Sequence, residues 1–68
     1  MMTPRRYRIT LRGRLSEDSA SLFEDMSLAP GPDRTVLTGE LRDQAQLHGV
    51  LERVRDLGIE LVSLYEVP

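Results

Sequence analysis

The chain has no cysteine, no lysine and no tryptophan, and it carries one histidine, His48. Without cysteine there is no disulfide to close a loop. A single histidine cannot assemble the three or four donors at recognisable spacing that a zinc site needs, so no metal and no cofactor is expected. No apolar run approaches the roughly 20 residues of a membrane span. The N-terminal Met1-Met2-Thr3-Pro4-Arg5-Arg6 leads straight into alternating residues rather than the apolar core of a signal peptide. A cytoplasmic protein is expected. Catalytic constellations are also missing: no nucleophile has a histidine base at suggestive spacing, and there is no glycine-rich phosphate loop. The acidic pairs Glu17-Asp18 and Glu24-Asp25 fall at the ends of a short helical segment, where solvation and the helix dipole account for them. A non-enzymatic role follows.

What is present is one small domain. A chain of 68 residues has room for a single core and buries only about 60% of the surface its unfolded form exposes. Domains of this size gain stability from disulfides, a metal or association. With the first two excluded, association remains, and a homodimer is the expected state. The net charge of −2 argues against general attraction to nucleic acid or anionic membranes. The distribution is uneven, however. All nine basic residues are arginine, and five of them (Arg5, Arg6, Arg8, Arg12 and Arg14) lie in an N-terminal stretch without acids.

Residues 7 to 15 alternate strictly, with Tyr7, Ile9, Leu11 and Leu15 on one side and Arg8, Thr10, Arg12 and Arg14 on the other, the period of a half-buried strand. Ser16 offers an N-cap, and Leu15 can staple onto Ala20. A helix over about 16–24 is expected, burying Ala20, Leu22 and Phe23. Met26 to Ala29 is a weak strand closed by the turn Pro30-Gly31-Pro32-Asp33, and proline suits an edge. Arg34 to Arg42 alternates again, with Leu37, Gly39 and Leu41 opposed to Val36, Thr38 and Glu40. Asp43 and Gln46 form a capping pair for a second helix. Its stripe is Leu47, Val50, Leu51, Val54 and Leu57, with Leu51 and Val54 expected against the sheet, and Gly58 ends it. Ile59 to Val67 is apolar enough for a last strand.

The order strand, helix, strand, strand, helix, strand matches the ferredoxin-like plan: an α+β, β-α-β-β-α-β two-layer sandwich with an antiparallel sheet, first and third strands central, and both helices on one face. Three strands and two helices, with 26–33 as a loop, is the alternative. On the expected plan the open sheet face carries Arg6, Arg8, Arg12 and Arg14 beside Val36, Thr38 and Glu40, with Glu60, Val62, Leu64 and Glu66 added by the last strand. The charges read chiefly as a cross-strand ladder of arginines with Glu40, Glu60 and Glu66. The third strand offers no aromatic and Tyr7 points inward, so nucleic acid is disfavoured as a partner. Val36, Val62 and Leu64, apolar groups rimmed by charge, read as an interface. The last strand is an unprotected edge. A helical glycine costs about 0.8–1 kcal/mol against alanine, so Gly49, with Ala45 and His48 beside it, marks either a ligand or partner contact or a tolerated surface glycine. His48 itself reads as a solvated side chain.

Asp43-Gln44-Ala45, then Leu47-His48-Gly49, and Arg53-Val54-Arg55-Asp56-Leu57-Gly58 resemble a segment shared by a group of short uncharacterised bacterial proteins, which implies no activity. More loosely, Thr38-Gly39 and Gly49-Val50-Leu51 leading to Leu57-Gly58-Ile59 resemble the strand, glycine turn and helix of amino-acid-binding ACT domains. That resemblance implies a ferredoxin-like fold, dimerisation through sheet edges and a regulatory small-ligand role as the alternative function.

Overall fold

The computed structural model describes residues 4–15, 17–23 and 26–68. Strands β1 (Arg5–Arg12), β2 (Ser27–Pro30), β3 (Arg34–Leu41) and β4 (Leu61–Val67) form one sheet in the order β2-β3-β1-β4, with every neighbouring pair antiparallel. A 3-10 segment, Glu17–Phe23, links β1 to β2, and one α-helix, α1 (Gln44–Asp56), links β3 to β4. As the alternation implied, β1 and β3 are central and β2 and β4 are edges.

The period-two pattern acts directly in the central strands. Ile9 and Leu11 of β1 and Thr35, Leu37 and Leu41 of β3 are buried on one face, joined by Phe23, Met26, Val50 and Val54. Register places Ile9 opposite Leu37 and Leu11 opposite Thr35, so the inward side chains of the two strands stack in pairs, while Tyr7 stands opposite Gly39. Thr35 is the one polar residue in this buried set. Its hydroxyl donates to the Gly13 carbonyl at 2.9 Å and accepts from the Leu15 N–H at 3.0 Å, satisfying backbone groups that leave β1 without a ladder partner. Between β2 and β3 the Gly31 N–H donates to the Arg34 carbonyl at 2.6 Å. A Cβ at residue 31 would stand 2.9 Å from that oxygen, so the turn needs glycine.

Helix α1 starts as its sequence indicates. The Asp43 carboxylate accepts from the Gln46 N–H at 2.8 Å, and the Gln46 side chain reaches back to accept from the Arg42 N–H at 2.7 Å. At the other end Gly58 adopts φ +71°. The Gly58 and Ile59 N–H groups donate to the Arg55 and Val54 carbonyls, a Schellman closure that favours glycine. The stripe is rotated from expectation: Val50 and Val54 are buried, Leu47 and Leu51 half-buried, and Leu57 is 46% exposed.

Two expectations are corrected. The β-α-β-β-α-β ferredoxin-like sandwich, and with it the fold implied by the ACT resemblance, is overturned because the described residues contain one α-helix rather than two. Seven residues are too few for an α-helix to be stable without strong packing. Here Phe23 is the buried anchor while Leu22 is exposed, and the Ser21 hydroxyl donates to the Asp18 carbonyl at 3.1 Å, competing with a helical ladder. The expected cap at Ser16, the staple on the Ala20 side chain and the pair Glu24-Asp25 lie outside the described positions. The second correction concerns β4. Leu64 stands opposite Ile9 and packs against the core, so it faces α1 rather than the open side. Val62 falls at a break in register, where Leu61 stands opposite Leu11 and Ser63 opposite Thr10.

Candidate functional site

The face of the sheet turned away from the core is built from even-numbered residues of β1 and β3 and from Ser63, Tyr65 and Val67 of β4. Register lines them up in rows: Glu40, Arg6 and Val67; then Ser27, Thr38, Arg8 and Tyr65; then Ala29, Val36, Thr10 and Ser63; and at the far end Arg34 beside Arg12. The middle of the face is floored by small side chains, and the arginines rise along β1. Tyr65, 48% exposed, is the aromatic of this surface. The Arg8 guanidinium lies 5.9 Å from its ring centroid and donates to its hydroxyl at 3.2 Å, a cation–π contact closed by a hydrogen bond.

The expected ladder is partly present. Arg12 pairs with Glu60 at 2.9 Å, whereas Glu66 stands opposite Tyr7 on the core side of the sheet rather than on the open face and pairs there with Arg5 at 3.2 Å. Both pairs are exposed, which limits each to under about 1 kcal/mol. Glu40 stands opposite Arg6 in register without an ion pair among the described residues. Arg12 stands directly opposite Arg34, and like charges in facing positions are unfavourable.

The second feature is the free edge of β4. Its inner side is paired to β1, whereas among the described residues its outer side meets no strand. β4 holds seven residues, with no proline and no lysine. The opposite edge, β2, is only four residues long and ends on Pro30.

The residues singled out from sequence are scattered among these surfaces. Val36 is half-buried on the open face beside Thr10, Val62 is half-buried at the register break, and Leu64 belongs to the core side. Ala45 and His48 are exposed on α1, away from the sheet face. His48 lines a shallow depression of about 210 Å³ with Leu51, Glu52 and Arg55. Among the described residues no neighbouring element approaches Gly49: a Cβ there would meet nothing within 4 Å. No group of three or more potential metal ligands occurs among the described residues. A larger depression of about 460 Å³ lies where β1 begins and β4 ends, but its walls set Arg5 and Arg6 against Glu40 and Glu66, so its charges cancel. Among the described residues no helix is long and apolar enough to cross a membrane. Tyr65 was missed from sequence because β4 is apolar at both parities, and a one-residue change of phase moves every side chain to the other face.

A family model described as a domain of unknown function, DUF8691, matches residues 6–65, and the chain belongs to that family. No curated protein and no solved structure matches it.

Proposed function

We propose that this member of the DUF8691 family is a cytoplasmic, non-catalytic self-association module that dimerises by antiparallel pairing of β4 with β4 of a second copy. The observation that carries this reading is the free outer side of β4, seven residues long without proline or lysine, in a sheet whose other edge is short and ends in proline. Natural edges are normally guarded by such residues. A twofold pair satisfies the unpaired backbone groups on both copies at once.

Side-chain chemistry favours one register. Centred on Leu64, the twofold sets Leu64 against Leu64 of the partner subunit and Ser63 against Tyr65 of the partner subunit, central pairs that lie clear of the register break at Val62. Shifting the centre to Ser63 sets Glu60 against Glu66 of the partner subunit, and facing like charges are unfavourable.

The register supplies its own test. Ser63 and Tyr65 lie on the open face and meet across the twofold, so Ser63→Glu with Tyr65→Glu leaves the protomer folded while setting carboxylates against each other. That variant is expected to be monomeric, as is Ser63→Lys with Tyr65→Lys, read by sedimentation equilibrium. An equimolar mixture of the two is expected to form heterodimers, because each carboxylate then meets an ammonium. Recovery cannot come from an intrachain pair, since each chain carries like charges at both positions. A wild type that stays monomeric at high concentration would overturn the reading.

A further inference from the structure

We propose that the open face of the sheet binds single-stranded nucleic acid, with Tyr65 as the stacking platform and Arg6, Arg8 and Arg34 as phosphate contacts. The inference stands on one protomer's face and does not rest on β4 pairing. As the sequence indicated, neither Tyr7 nor β3 brings an aromatic to this surface; the phase of β4 does, because Tyr65 stands opposite Arg8.

Charge selects an anionic occupant. Arg6, Arg8, Arg12 and Arg34 share this face with Glu40 and with Glu60, which reaches Arg12, so the surface is basic on a chain of net charge −2. Among the described residues Arg6, Arg8 and Arg34 make no ion pair, and Arg34 stands opposite an Arg12 whose charge Glu60 already meets, so Arg34 is the cation left for a phosphate at that end. Alternate residues on a strand are about 6.6 Å apart, so Arg6 and Arg8 offer successive cations along an extended backbone. The exposed ring distinguishes a nucleic acid from an acidic peptide. A base can stack on Tyr65 or on the Arg8 guanidinium held 5.9 Å from its centroid, and both kinds of surface support unpaired bases. The flat floor of Ser27, Ala29, Thr10, Thr38 and Ser63 leaves room for bases to lie against the sheet.

The test is fluorescence anisotropy of the full chain with labelled oligouridylate and oligothymidylate over a series of salt concentrations, with a labelled oligoglutamate peptide as the rival. Binding is expected to fall with salt along a log–log slope of about −2, from about 0.7 per phosphate for three arginines. Tyr65→Ala is expected to weaken binding by about five- to a hundredfold, the range of a lost base stack. Tyr65→Phe, which keeps the ring and loses the hydroxyl bond to Arg8, is expected to stay within about twofold. Arg6→Gln with Arg34→Gln should flatten the slope by about 0.7 for each arginine removed. Thermal melting by circular dichroism checks that each variant is folded. Absence of binding at low salt would overturn the proposal. So would affinity unchanged in a folded Tyr65→Ala variant, or oligoglutamate binding as tightly as the oligonucleotides.

Discussion

Gly49 sits inside α1, where glycine is the costliest residue after proline, and the space beside its Cα is open. In an isolated chain Gly49→Ala is therefore expected to raise stability by about 0.8–1 kcal/mol, measured by urea denaturation. If the glycine instead admits a partner backbone, the same substitution weakens that association while still stabilising the monomer. Tyr65 shows how far one residue's surroundings decide what a surface offers. In β1 and β3, polar and apolar residues alternate cleanly, so Ile9, Leu11, Leu37 and Leu41 could be assigned to the core from sequence. β4 reads Leu-Val-Ser-Leu-Tyr-Glu-Val, apolar at both parities, and carries no such phase information. Its orientation is set by pairing with β1 and by the register break near Thr10 and Leu11, a nonlocal property that places Leu64 inside and Tyr65 outside.

Among the elements, α1 and the segment Glu17–Phe23 differ in how much they carry locally. The helix has its cap at Asp43, a long apolar stripe and Gly58 to end it, each a local signal with a local mechanism, and its bounds were legible. Its rotation was not, because a stripe of five apolar positions spans more of the circumference than the sheet can cover, so Leu57 remains exposed. Glu17–Phe23 has acids and serines at its start but, among its described side chains, one buried anchor, Phe23, and adopts 3-10 geometry. Ties of this segment to the rest of the fold include that ring, the Met26 N–H, which donates to the Phe23 carbonyl at 2.9 Å, and the Arg53 guanidinium, which donates to the Leu22 carbonyl at 3.1 Å. Phe23→Ala is expected to cost about 3–5 kcal/mol, a large part of what a domain of this size possesses. Equilibrium denaturation checks this, and a loss below about 1 kcal/mol would mean that the core closes without the segment.

For the molecule as a whole, the sheet is asymmetric in three ways. One face is covered by α1 and the 3-10 segment while the other is open; one edge is short and closed by proline while the other is long and bare; and the arginines gather on the open face of an acidic chain. The bare edge and the open face meet at β4, which contributes Ser63, Tyr65 and Val67 to the face and its outer backbone to the edge. In the proposed dimer, pairing of two β4 strands would extend the open face across both copies and enlarge the basic surface without rearranging it.

The most direct measurement of β4 as a dimer seam is amide hydrogen exchange, residue by residue, from micromolar to millimolar protein. Exchange at the outward amides of β4 should slow as concentration rises, in the same range in which sedimentation shows the mass doubling. Amides of β2, at the opposite edge, should exchange at a rate independent of concentration. If β4 exchange is equally fast at both ends of the range, or if protection accumulates on β2 instead, the β4 seam is contradicted.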